Sequence, residues 1–509
     1  MKEILRLLIK IFAYVAASIV ILLAIIVGLF RLLLPRVPEY QDEIKEWASA
    51  AIGMQVEFSG MDARWSLSGP ELKFHKAELI RLDSGARIVA AEEVSVGVGF
   101  MRLLFEQALV VDRLVIRDTS VEIRQLEDGS YRIQGMDVAE LLSSKAEKSA
   151  APLMNIEVIG EDIELRFIRP GDERPNFFAI PRVSVGVDEK RIAAVADVRL
   201  PDDLGKQLSV SAIQLLEAPA AERSWDIIVD ANDINLSGWS NLSQGSRRFQ
   251  SGSGDLDLAL AYANGRVTSA VAELDFVDIA LANDDFFDLT GRVEVDVTDH
   301  DWLVAADDLV VSFADHKWPE SSLRVEASVD GDGRIVMVDA RASYVKLDDL
   351  RLIEPWLDEQ QKTTLSDIRP SGIVKNLIAT VSEVDSDLPR FNVSAELDRV
   401  GVADAGRRPG VRGFSGLLRA NRGGGRLEIN SKDLEVFAPE YLSEAVAISD
   451  AEGTVIWRNS NNQTTILSDS IAVSNEYFHS QSKVQLILNK DGKSPEIDLA
   501  SSWSISDIA

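Results

Sequence analysis

From Gln55 onward the chain alternates apolar and polar residues with a period of two. Val94, Val96 and Val98 share one parity, and Ile163, Leu165 and Phe167 alternate with Asp162, Glu164 and Arg166. Leu256, Leu258 and Leu260 alternate with Asp255, Asp257 and Ala259. Val293, Val295 and Val297 alternate with Arg292, Glu294 and Asp296. Leu323 and Val325 stand against Arg324 and Glu326, and Phe391 and Val393 against Asn392 and Ser394. Strands with one apolar and one polar face make antiparallel sheets. Asp128-Gly129, Asn264-Gly265, Asp332-Gly333 and Asp491-Gly492 fall between such runs, where tight hairpins need positive φ. The pattern predicts a mainly β protein of about thirty strands.

Helical patterns are few: Asp137–Lys148, Leu350–Gln361 and a short amphipathic stretch from Pro38 to Ala51. Residues 143–153 have the composition of a flexible linker. So little helix cannot cover so many half-apolar strands. Two architectures remain: tandem β-sandwiches, or one elongated, curved antiparallel sheet enclosing an apolar groove. Base rates favour sandwiches. Periodicity chooses neither the architecture nor the inward parity, since a one-residue slip exchanges the faces.

Before this β body, Ile11 to Phe30 is twenty residues without a charge. As a helix it spans about 30 Å, the hydrocarbon thickness of a bilayer. Lys2, Arg6 and Lys10 precede it, and the acids Glu39, Asp42, Glu43 and Glu46 follow Arg31 and Arg36. That bias leaves the N-terminus in the cytoplasm and exports the body. A cleaved signal peptide is the rival reading. It would have a shorter apolar core and a small-residue cleavage site, where this chain has Arg31-Leu-Leu-Leu-Pro.

Composition narrows the function classes. The 509 residues carry a net charge of −29, which disfavours nucleic acid and anionic membrane surfaces as partners. With no cysteine there is no disulfide, thiolate catalysis or Cys-based metal site. The four histidines (His75, His300, His316, His479) have no ligand at metal spacing. Gly413-Phe-Ser-Gly lacks the spacing of a nucleophile elbow, and Gly97-Val-Gly99 belongs to a strand. Asp330-Gly-Asp332-Gly lacks the remaining ligands of a calcium loop and reads as a hairpin turn. Asp284-Asp285 and Asp307-Asp308 read as solvated turns rather than paired catalytic carboxylates, and Trp239, Trp302, Trp318 and Trp356 as core anchors. The expectation is no enzyme, no cofactor and no metal.

Several segments, in order, resemble the AsmA-like superfamily and within it the YhdP group. After the anchor come Ile52-Gly-Met-Gln-Val-Glu-Phe, Trp65, Pro70-Glu-Leu-Lys-Phe and Ala90-Ala-Glu-Glu-Val-Ser-Val-Gly-Val. Val111-Asp-Arg-Leu-Val-Ile and Asp128-Gly-Ser-Tyr follow. Gly254-Asp-Leu-Asp-Leu, Arg369-Pro-Ser-Gly-Ile-Val, Gly410-Val-Arg-Gly-Phe-Ser-Gly and Gly425-Arg-Leu-Glu-Ile are similar to later parts of that group. Members are usually much longer, so the resemblance implies a fragment or a short relative. It also implies the groove architecture, and a phospholipid bridge from the bacterial inner membrane through the periplasm toward the outer membrane or a distal envelope protein. At about 4.8 Å per strand the groove would be on the order of 140 Å long. The implied layout is a cytoplasmic tip and anchor (1–36), an amphipathic helix (37–53), an N-terminal β region (54–142), a linker (143–153) and a continuing β-groove (154–509). A membrane-anchored periplasmic scaffold assisting outer-membrane protein assembly is the rival role. Candidate groove-lining residues are the sixteen apolar positions named in the alternating runs above, from Val94 to Val393.

Overall fold

The alternating pattern becomes strand almost wherever it occurs. The computed structural model describes residues 28, 39–52, 54–66, 69–81, 85, 87–99, 111–128, 130–137, 155–171, 175–219, 223–242, 249–281, 285–384, 389–404, 409–438, 444–460, 463–489 and 496–505. The expected anchor, Ile11–Phe30, lies outside these apart from Gly28, as does the linker 143–153. Among the described residues no helix is long and apolar enough to cross a membrane. The chain divides into two compact units, residues 1–232 and 233–509.

The first unit begins with helix α1 (Gln41–Ile52), then β1 (Gln55–Glu57), β2 (Gly60–Ser66), β3 (Gly69–Ile80), β4 (Arg87–Val98) and β5 (Val111–Gln125). A small hairpin, β6 (Tyr131–Ile133) and β7 (Met136–Asp137), precedes β8 (Ile156–Ile168). Asp137 is thus in a strand, and the rest of the helix expected over Asp137–Lys148 lies outside the described residues. β9 (Asn176–Val187), β10 (Arg191–Arg199), β11 (Gln207–Leu215) and β12 (Trp225–Asn235) follow. β1 and β2 both pair with β3, and β3, β4 and β5 run antiparallel. β8 lies parallel to β5, and β8 to β12 continue as an antiparallel meander. α1 rests on this sheet: Ser49 Oγ accepts the Val56 N–H at 2.9 Å, and the Lys45 ammonium sits 5.0 Å from the Phe58 ring centre.

The second unit is an antiparallel meander of fourteen strands, β13 (Ser251–Ala263), β14 (Arg266–Ala280), β15 (Phe286–Val297), β16 (Asp301–Phe313), β17 (Ser321–Val329), β18 (Ile335–Lys346) and β19 (Ser371–Ser382) forming its first half. Its second half is β20 (Arg390–Val402), β21 (Gly410–Asn421), β22 (Gly424–Phe437), β23 (Val446–Asn459), β24 (Gln463–Ser474), β25 (Phe478–Asn489) and β26 (Glu496–Ile505). Each pairs with the next along the chain. The hairpin signals behave as their chemistry requires: Asn264 (φ 53°) and Gly265 (φ 80°) make the tight β13–β14 turn. The strands of each unit form one open sheet, by strictly sequential pairing in the second unit and, in the first, with β1 and β2 both on β3 and β8 joined to β5. The sandwiches that base rates favour do not form.

A line of left-handed residues crosses each sheet. In the first unit it includes Lys76, Asp118 and Asp162; in the second Asp278, Asp308, Asn376, Arg399 and Asp433, all with φ between 48° and 54°. Asp and Asn tolerate this conformation because their short polar side chains bond locally. Such bulges insert an unpaired residue and bend the strand. Register shifts fall at the same level, between Ala306 and Leu309, Lys375 and Ile378, and Leu397 and Val400. The neighbouring strand satisfies the freed N–H groups. Asp278 N–H donates to Asp288 Oδ1 (3.0 Å), Arg399 N–H to Ser415 Oγ (3.0 Å) and Ser415 N–H to Ser431 Oγ (2.8 Å). At Gly413 (φ 83°) a Cβ would stand 2.6 Å from the Asp433 carbonyl oxygen, so only glycine fits.

Where one helix was expected over Leu350–Gln361, two occur: a 3₁₀ helix, Leu347–Trp356, and an α-helix, Glu359–Ile368. Pro355 cannot donate within a helix, and Asp358 opens the next one through a capping box with Gln361.

Candidate functional site

In an antiparallel sheet, directly opposed residues point to the same side, so the register traces each face across the strands. In the second unit one row runs from β13 to β26 without a polar member. It is Leu260, Ala270, Val295, Val304, Val325, Ala340 and Ala379, then Val393, Ala420, Gly425, Trp457, Ile466, Leu486 and Ile497. A second row joins Leu258, Ala272, Val293, Ala306, Leu323, Ala342 and Leu377. A third joins Val297, Trp302, Ala327, Val338, Val381 and Phe391. The positions Leu258, Leu260, Val293, Val295, Val297, Leu323, Val325, Phe391 and Val393, singled out from separate stretches of sequence, therefore come together on one face. Leu256 shares their parity on β13 and lies opposite Leu274.

The first unit repeats the pattern. Met61, Phe74, Val94, Ile116, Gly160, Val183, Ala196, Val210 and Val229 form one row. Val96 belongs to the adjacent row with Leu72, Leu114, Val158 and Val185. Val98 lies past a register shift, opposite Val111, and is buried. Ile163, Leu165 and Phe167 lie beyond the left-handed Asp162, opposite Ile180, Phe178 and Asn176.

Exposure separates a dry core from an open face. None of the fourteen residues of the row from Leu260 to Ile497 is buried. Val304 and Val325 are 39% and 37% exposed, and Ile497 68%. A stacked sheet would have covered them. So large a half-exposed apolar surface marks an interaction face. Sequence reasoning missed the alanines of the row, together with Gly425, Trp457, Ile466, Leu486 and Ile497. They keep the same parity, but Ala and Gly signal weakly.

The opposite face is charged. In the first unit His75, Glu93, Arg117, Glu161, Arg182 and Asp197 stand opposite one another in that order, with the charge alternating in sign from Glu93 to Asp197. Arg117 holds Glu93 and Glu161, each at 2.6 Å. Burial works against the Glu93 carboxylate, but hydrogen bonds from Lys73 and Arg117 outweigh it and hold its carboxyl below the ordinary range. In the second unit the hydrogen bond from Lys375 (2.8 Å) does the same for Asp398. Apolar on one side and ion-paired on the other, the sheets favour burial of one face only.

Other candidate chemistry resolves into structure. Asp308 is a left-handed bulge inside β16, not a solvated turn, and Asp307 faces Arg292 across the strands. Asp285 pairs with Arg351 at 3.1 Å; Asp284 lies outside the described residues. Trp318 is buried as expected, whereas Trp302 and Trp356 are exposed. His316, read as a lone histidine, lies between Asp315 (2.8 Å) and the buried Asp349 (2.9 Å), and Trp318 Nε1 donates to the same Asp349 oxygen. Among the described residues no group of three or more acids or histidines is arranged to hold a metal ion.

A family model described as "YhdP protein" matches residues 1–509. Among curated proteins the chain is similar to the intermembrane phospholipid transporter YhdP of Escherichia coli (strain K12), at 23% identity over 485 residues. The alignment covers 91% of this chain and 37% of the relative, so the chain spans little more than a third of that protein's length.

Proposed function

The chain belongs to the YhdP family, and from that premise we propose that it carries phospholipid between membranes along the apolar faces of its sheets. The observation that most supports this reading is the row from Leu260 to Ile497, apolar at every strand and buried at none. Acyl chains held against it stay out of water, a gain of about 0.8 kcal/mol for each buried CH₂. Transport is passive: tails move along the apolar rows and headgroups remain in solvent, with no bond made or broken. In this reading Ile11–Phe30 anchors the protein in the inner membrane, with its N-terminus in the cytoplasm and its body in the periplasm. The outer membrane or a distal envelope protein receives the lipid. The lining set is the sixteen candidates without the buried Val98.

Mass spectrometry of the purified chain, freed of detergent, tests this. Several phospholipid molecules per chain are expected; a folded, lipid-free protein overturns the reading.

A further inference from the structure

The apolar face of the second unit is not uniform along its strands. The short connections β13–β14, β15–β16 and β17–β18, of two, three and five residues, lie at one end of the strands. Near this rim the large side chains are open: Trp302 is 37% exposed, Val304 and Phe391 39% each. Ala327, opposite Trp302, is the small and buried exception. Beyond the left-handed residues the reverse holds. Ile279 is 2% exposed, and Phe287, Leu309, Val311 and Leu434 are also buried. The face is thus open at the hairpin rim and closed past the bulge line.

The distance between rim and bulge line is informative. It is about six residue steps on β16, from Trp302 to Asp308, or roughly 20 Å at a strand's rise per residue. One leaflet of a bilayer's hydrocarbon is about 15 Å deep. An acyl chain therefore fits along a strand, between rim and bulge line. The rim itself carries groups that suit a glycerophosphate. Arg266 and Arg390 are paired with Asp299 and Glu383, while the exposed Arg334 makes no salt bridge among the described residues; its N–H donates to Asp330 Oδ1 (3.0 Å) and its charge acts on that carboxylate. Trp302 and Phe391 stand at the boundary, where aromatic rings mark the headgroup level of membranes.

Building on the phospholipid reading above, we propose that each lipid lies with its acyl chains parallel to the strands, its chain ends at the bulge line and its phosphate at the hairpin rim. The phosphate is recognised by rim arginines, Arg334 first among them. Only one of the sheet's two long rims then passes headgroups.

The absence of cysteine allows single labels to test this in the full chain. A fluorophore is placed at the rim by Val297→Cys or near the bulge line by Ala306→Cys. The protein is loaded with phospholipid carrying a nitroxide on the headgroup or at the end of the acyl chain. Over a separation on the order of 13 Å, the headgroup nitroxide should quench the rim label at least about twofold more than the inner label, and the chain-end nitroxide should reverse that order. A second pair, Phe391→Cys and Leu377→Cys, guards against a variant that misfolds. Equal or inverted quenching with both lipids overturns the orientation while leaving lipid binding intact. No quenching by either lipid overturns lipid binding itself.

Discussion

Replacing Val325 by aspartate puts a carboxylate inside the longest apolar row, at its fifth position of fourteen. Val325 is 37% exposed, so the side chain keeps access to water in the free protein and the fold tolerates the change. Lipid cover changes this. Full burial of a valine is worth about 1.5–3 kcal/mol, so covering the exposed 37% contributes about 0.6–1.1 kcal/mol, which the variant loses. The larger effect is the charge. A carboxylate against acyl chains neutralises rather than stay ionised, and protonating an aspartate of ordinary pKa at pH 7 costs about 4 kcal/mol. Together these bring the site close to a thousandfold or greater loss of lipid affinity at neutral pH. The sign with pH follows: lipid binds the protonated form, so binding strengthens as pH falls. At pH 5 the protonation cost drops to about 1.5 kcal/mol. Transfer of a fluorescent phospholipid between vesicles, and the lipid count per chain, should both fall for Val325→Asp at pH 7 and recover in part at pH 5. Val325→Leu should resemble the parent at both. A folded Val325→Asp protein with undiminished transfer at pH 7 would refute the claim that this row meets lipid.

Two further outcomes bear on the scaffold. Arg117→Met leaves Glu93 and Glu161 without their shared partner and should destabilise the first unit by about 1–3 kcal/mol in urea unfolding. Glu93 has a folded pKa below its ordinary value of 4.5, so its contribution is present above that pH and is lost as pH falls through the folded value; the variant should flatten that acid limb. Asn376→Gly should leave stability within about 0.5 kcal/mol of the parent, whereas Asn376→Val, branched at a left-handed position, should cost about 1–3 kcal/mol; equal midpoints for the two would contradict the account of the bulge line.

Much of the fold was legible because alternation is a local signal. Val293, Val295 and Val297 declare a strand and one of its faces without reference to any partner. Which face the next strand turns the same way is not local. It depends on register, and one left-handed residue exchanges the parity, as Asp162 does between Gly160 and Ile163. Asp308 and Asp433 showed in the sequence only as acids in an acidic chain. Their role emerges when Ser or Asp on the next strand is seen to cap such bulges. Val98 shows the same dependence: a register shift follows Gly97, and the residue lies buried opposite Val111. The choice between sandwich and open sheet was beyond periodicity, because both bury alternate residues. It rests on side chains such as Val304, half-exposed where a second layer would have covered them.

The strictly sequential pairing of the second unit makes reach adjustable. A hairpin inserted at any turn returns the chain to the same rim, in the same direction and facing the same side. Each added hairpin lengthens the apolar row by two positions, or about 10 Å, and leaves every existing contact of the row in place except at the point of insertion. A single added strand would instead bring the chain out at the wrong rim. In such a protein, span is counted in pairs of strands, and it can be lengthened or shortened without redesigning the apolar face.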